Sequence, residues 1–163
     1  MNGHQYRDLI GRYLVRAYDA RGLEIYDEVT IGTTILGKPR RTDLVVLHRD
    51  SGRTLALECK YQDSSGTVDE KIPYALQDLE AMRMPSALVY AGVGFSQGVL
   101  HLLQSSSLAA YCLPGEDLRP VRRSPSADAI NTGTWQLDHV VAATFGFWDI
   151  VLDGKQKRVR PSD

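Results

Sequence analysis

Arg41 to Lys71 reads RTDLVVLHRDSGRTLALECKYQDSSGTVDEK, and the pairing of its two apolar runs decides the fold. The first run, Leu44 to Leu47, is headed by an acid, Asp43; the second, Thr54 to Tyr61, ends in Glu58-Cys59-Lys60. The short connector Arg49-Asp50-Ser51-Gly52 predicts a hairpin, so the runs pair as antiparallel strands and Asp43 comes beside Glu58. Side chains alternate along a strand, so Glu58 and Lys60 share one face while Cys59 enters the opposite layer. Two carboxylates and one ammonium then gather on one face of a sheet. Burying such groups without a ligand is costly, which is a reason to expect chemistry there.

Upstream, Tyr6, Leu9, Ile10, Tyr13, Leu14, Ala17 and Tyr18 recur three and four apart and predict an amphipathic helix over His4 to Ala20, stopped by Gly22. Leu23 to Ile31 reads as a strand, and Gly32 to Arg41, with two glycines, a proline and three basic residues, as a loop. Downstream, Ala75, Leu76, Leu79 and Met82 mark a helix; Pro73, tolerated in a first turn, predicts that it opens there, whereas a Thr67–Glu70 capping box would place Pro73 deeper. Ala87 to Ala91 is a short apolar strand of the kind buried on both faces, Phe95 to Gln104 a helix and Leu108 to Leu113 a strand. This order gives an α/β fold, a mixed central β-sheet flanked by helices.

The composition changes after Leu113, dividing residues 1–113, the core, from 114–163, a C-terminal extension packed on the core or on a second subunit. Pro114 to Ser126 is a proline-rich arm carrying Arg119, Arg122 and Arg123. Trp135 to Leu152 has apolar residues at helical spacing, while Asp153-Gly154 is a hairpin signal, and both readings stand. Its aromatics Trp135, Phe145, Phe147 and Trp148 suit a packed core or a subunit contact better than base stacking.

The 163 residues, 43% hydrophobic and 24% charged, suit a soluble globular domain, and a net charge of -1 provides no global field for nucleic acid. No apolar run is long enough to span a bilayer and the polar N-terminus does not resemble a secretory signal. Cys59 and Cys112 read as reduced, buried thiols of a cytoplasmic protein. His4, His48, His101 and His139 have no metal-ligand spacing.

Asp43 and Glu58, with the backbone carbonyl of Cys59, form the oxygen set that Mg2+ prefers. Such an ion would polarise a phosphoryl oxygen and activate water, and Lys60 on the same face would stabilise the charge that develops, so the expected reaction is phosphodiester hydrolysis. Gln62, two residues further on, is a candidate to hold the water or a phosphate. Lys38, Arg40, Arg41, Lys71, Arg122 and Arg123 are candidate DNA contacts, their alternative being solvated charges.

The layout D-x(14)-E-C-K on paired strands, after one helix and before another, resembles the PD-(D/E)XK nuclease superfamily. The resemblance covers roughly Tyr6 to Leu113 and implies a restriction-endonuclease-like fold of core order αβββαβ. It carries the metal-binding acids onto Asp43 and Glu58, the catalytic lysine onto Lys60 and a frequent following glutamine onto Gln62. C-K-Y-Q followed by S-G-T-V-D-E-K-I-P-Y is similar to restriction-endonuclease members. Thr42 stands where the family pattern has proline, and the first helix offers only Asp8 and Asp19 where many members add a glutamate.

The resemblance thus implies a Mg2+-dependent DNA endonuclease of restriction, homing or phage type, with Mn2+ substituting, without an organic cofactor or membrane partner, of bacterial, archaeal or phage origin. Cutting both strands with one small domain implies a homodimer. The alternatives are a Holliday-junction resolvase or other structure-specific nuclease, and a non-catalytic DNA-binding or assembly module of the same fold. An enzyme of small phosphorylated molecules would need a phosphate-cradling loop, for which Gly92-Val93-Gly94 is the candidate, though a turn is the simpler reading.

Overall fold

A computed structural model describes residues 1–121 and 131–162. The N-terminal helix α1 (Gly3–Tyr18) begins with a reciprocal cap: the Asn2 side chain accepts from the Gln5 N–H at 2.9 Å, and the Gln5 side chain from the Asn2 N–H at 2.8 Å. Its buried stripe is Tyr6, Ile10, Tyr13, Leu14 and Tyr18. One 3-10 turn (Asp19–Arg21) follows, and Gly22, at φ 82°, releases the chain into β1 (Leu23–Thr33).

The strands β1, β2 (Pro39–His48) and β3 (Arg53–Tyr61) form an antiparallel meander, with Val46 opposite Leu55 at the centre of the second pair and Leu44 opposite Leu57 at its end. The chain then crosses through α2 (Val68–Glu80) to β4 (Ser86–Ala91) and through α3 (Gln97–Ser105) to β5 (Ala109–Tyr111); β4 runs parallel to β3, and β5 to β4. Among the described residues these strands make a five-stranded mixed sheet in the order β1-β2-β3-β4-β5. Leu55, Leu57 and Cys59 enter the core on the face covered by α1 and α4, and Glu58 and Lys60 face α2, as the alternation requires.

Two expectations need correction. Gly32 to Arg41 is not wholly a loop, because β1 extends to Thr33 and pairs with Pro39, leaving only Thr34 to Lys38 as the turn and placing Arg40 and Arg41 on β2. The solvent-exposed distal part of this hairpin lacks the apolar alternation by which strands are read. The second helix begins at Val68, with Pro73 inside it. Proline in a helix interior typically costs about 3 kcal/mol, and contacts from outside the helix offset it here. The Val68 N–H donates to Gln62 Oε1 at 3.0 Å, and the Asp69 carboxylate accepts from Gln62 Nε2 at 3.0 Å and from the Ser96 N–H.

The C-terminal segment is helical: α4 (Trp135–Phe145) and α5 (Trp148–Leu152). Leu137, Val141, Ala142 and Phe145 are buried, and α4 packs on β3 and β5. A buried polar knot joins α4 to α1. The fully buried Asp138 carboxylate accepts from the hydroxyls of Tyr13, Tyr18 and Thr134. Burial and the Asp138 charge push the Tyr13 hydroxyl well above its ordinary pKa, so it stays a donor. Among the described residues no helix is long and apolar enough to cross a membrane.

Candidate active site

The backbone ladder between β2 and β3 ends at the Leu44–Leu57 pair, and the next positions along it are Asp43 and Glu58. There the Asp43 carboxylate takes over, accepting the Cys59 N–H through Oδ2 at 2.8 Å. In a strand the N–H and C=O of one residue leave on the same side, which directs the Cys59 carbonyl toward Asp43. The Cys59 thiol lies on the other face, 7% exposed within the core, and burial pushes its pKa well up.

Glu58 and Lys60 project together on the α2 side, with Nζ of Lys60 3.8 Å from the Glu58 carboxylate. Burial, followed by the Asp43 charge, pushes the Glu58 carboxyl up to about 7, with Lys60 opposing the rise. Glu58 is thus held near a second acid, with too little positive charge beside it to ionise at ease.

Glu58 and Lys60 floor a cleft of about 320 Å³. One wall is α2, through Lys71, Tyr74, Ala75 and Asp78; the other is the β1–β2 hairpin, through Thr34, Arg40 and Arg41. Lys71 and Arg41 are exposed at its rim, Arg41 also bonding Glu28 at 2.7 Å. Lys38 is exposed in the turn of the same hairpin.

Gln62 and Arg40 need correction. Gln62 is 5% exposed and its amide is spent on Val68, Asp69 and the Gly94 carbonyl, so it staples the loops behind the site and does not line the cleft. This staple requires Gly92 and Gly94, where a Cβ would strike the backbone of Gln62 and Ser64; Gly92-Val93-Gly94 is accordingly a packed turn. Arg40 lines the cleft, but the residue is 8% exposed and its guanidinium is committed to Asp78 by bonds of 2.8 and 3.0 Å. Arg122 and Arg123 lie outside the described residues.

No third acid joins the pair: among the described residues no cluster of three or more His, Cys, Asp or Glu side chains is poised to hold a metal. Asp8 bonds Arg7, and Glu28, at φ 51°, is held between Arg7 and Arg41. Sequence reasoning missed Tyr74 and Asp78. Lys71, Tyr74, Ala75 and Asp78 fall at i, i+3, i+4 and i+7, a helical face visible only once the helix is started at Val68.

A mixed sheet carrying an acid on one strand and an acid-x-lysine triplet on its hairpin partner, between flanking helices, defines a restriction-endonuclease-like domain. The profile of the PD-(D/E)XK nuclease superfamily domain matches residues 2–148, and the chain belongs to that superfamily. Two crystal structures share similarity with it: a protein of unknown function, AF1548, with TM-score 0.41 and 14% identity over 63% of this chain and 56% of that one, and a repair endonuclease from Pyrococcus abyssi, with TM-score 0.38 and 15% identity over 64% and 44%. The chain thus matches about half the length of these structures. No curated protein sequence matches it significantly.

Proposed function

We propose that the chain is a Mg2+-dependent DNA endonuclease, of the restriction, homing or phage type to which its sequence is similar. The observation that carries this reading is the convergence of Asp43, Glu58 and Lys60 at the frayed end of the β2–β3 ladder, with Glu58 and Lys60 on the floor of a cation-rimmed cleft.

The donor set fits a hard divalent cation. Two carboxylate groups and a strand carbonyl are oxygen ligands, and the raised Glu58 carboxyl marks negative charge that a cation would relieve. Asp43, Glu58 and the Cys59 carbonyl would hold Mg2+, with Mn2+ as a substitute. When bound, the ion supplies Lewis acidity toward the scissile phosphate and lowers the pKa of water.

The chain's own residues do the rest. Asp43 fixes the strand end by capturing the Cys59 N–H. Lys60 stabilises charge building on the phosphoryl oxygens as a water oxygen bonds to phosphorus and the bond to one sugar oxygen breaks. Lys71 and Arg41 hold neighbouring phosphates, and Lys38 extends that track along the hairpin.

Cutting both strands calls for a second copy. Because the inner face of α4 is covered by this chain's own sheet, the contact falls to Trp148 and Leu152, which are 52% and 58% exposed on α5. The two free, buried cysteines suit a reducing cytoplasm of bacterial, archaeal or phage-infected cells.

The test incubates supercoiled plasmid, linear duplex and a four-way junction with wild type and Lys60→Ala, in Mg2+ or in EDTA. The proposal expects Mg2+-dependent nicking or linearisation that Lys60→Ala slows by orders of magnitude. Cleavage confined to the junction would instead identify a structure-specific nuclease, and DNA binding without cleavage a non-catalytic module.

A further inference from the structure

The turn of the β1–β2 hairpin exposes two consecutive large aliphatic residues, Ile35 at 47% and Leu36 at 67%. Single exposed hydrophobics are ordinary, but two in succession on a tightly bonded turn are not. The Thr34 N–H donates to the Lys38 carbonyl at 2.7 Å and the Gly37 N–H to the Thr34 carbonyl at 2.9 Å, while the Thr34 hydroxyl oxygen accepts from the N–H groups of Leu36 and Lys38. The base of the turn is also anchored across the cleft. Asp78 of α2 accepts the Ile35 N–H at 3.1 Å and pairs with Arg40. The turn is therefore pinned to α2 by the same carboxylate that joins the two walls of the cleft, with the Ile35 and Leu36 side chains left exposed.

We infer that this tip is a wedge that presses Leu36, backed by Ile35, against a DNA base step beside the scissile phosphate, a role that rests on the nuclease reading of the cleft. Reach supports it. Thr34, the first residue of the turn, lines the cleft with Glu58 and Lys60, and Leu36 stands two residues from it.

Charge identifies the occupant. Lys38 follows the tip on the turn itself, and Lys71 and the Glu28-paired Arg41 are exposed on the rim of the cleft that Thr34 also lines, cations of the kind a polyanion requires. A two-fold contact between copies of the hairpin would instead bring Lys38 toward Lys38. Aliphatic side chains inserted at a base step unstack and kink the duplex. Unstacking costs least where the stack is already interrupted, so the wedge confers a preference for nicked or mismatched DNA over intact duplex.

The test uses the full chain, with Ile35→Ala/Leu36→Ala and, as a milder variant, Leu36→Asn. Cuts are first mapped on intact, nicked and mismatched duplexes in Mg2+. Then 2-aminopurine is placed at the steps flanking the cut, and its fluorescence and the anisotropy of labelled duplex are followed in EDTA, where binding proceeds without hydrolysis. The wild type should raise 2-aminopurine fluorescence on binding and cut nicked DNA faster than intact. Both variants should lose the fluorescence rise and bring the nicked-to-intact rate ratio to about one, while phosphate contacts keep affinity for intact duplex within roughly threefold.

Variants that keep the rise and the ratio overturn the wedge while leaving the nuclease reading intact. Variants whose only change is a shift from dimer to monomer in light scattering overturn it in favour of a subunit contact. A wild type that neither binds nor cuts any probe defeats the nuclease reading and the wedge with it.

Discussion

Glu58 and Asp138 are both acids withdrawn from water, and their surroundings are opposite. Asp138, fully buried between α1 and α4, is met by three hydroxyl donors and ties two helices together. Glu58, its side chain 20% exposed, faces Asp43 on one side and one ammonium at 3.8 Å on the other, and its carboxyl is pushed up to about 7. A satisfied buried acid contributes to the fold; an acid set against another acid costs stability unless a proton or a cation arrives. The two surroundings distinguish a carboxylate satisfied by the fold from one that the fold leaves unsatisfied.

Substitutions sharpen that contrast, beginning with the largest expected effect. Lys60→Ala should reduce Mg2+-dependent cleavage by roughly 10²–10³-fold while moving the thermal midpoint only slightly, because it removes a transition-state partner from a partly open cleft. Asp138→Ala should do the reverse for stability. Stranding buried hydroxyls costs about 3 kcal/mol, or roughly 10 °C in Tm, measured by thermal and urea unfolding.

Glu58→Gln should stabilise the metal-free protein. A carboxyl whose folded pKa is raised contributes stability that is fully present below its unfolded pKa and lost as pH rises through about 7. The gain on substitution is therefore up to about 3 kcal/mol near pH 8 and vanishes near pH 4, which chemical denaturation at several pH values would detect. The smallest effect falls on Thr42, 1% exposed, whose hydroxyl finds no hydrogen-bond partner. Thr42→Val keeps the shape and should add about 1 kcal/mol to unfolding stability.

Asp43, Glu58 and Lys60 were legible because their placement depends on local rules: a two-residue alternation and a short turn joining adjacent strands. Gln62 follows the same alternation on paper but lies past the end of β3, where the Gly92–Gly94 turn presses on the chain and captures its amide. Arg40 looked like a DNA contact because its partner, Asp78, is 38 residues away in sequence. The start of α2 was hidden by a local rule about Pro73 that contacts from Gln62 and Asp69 override. Signals for helix and hairpin balanced in the C-terminal segment, where Phe147 stacks on Tyr18 and Asp149 pairs with Arg21, tertiary contacts that neither pattern encodes.

The account turns on the claim that the Asp43–Glu58 pair is completed by a divalent cation that displaces a proton. Titrating Mg2+ into wild type and Glu58→Gln near pH 7 by calorimetry, in buffers of different ionisation enthalpy, tests it directly. The account predicts saturable binding to the wild type with proton release to the buffer, tightening as pH rises, and loss of that binding in the variant. Binding that is equal in both proteins, or accompanied by no proton release, would contradict it.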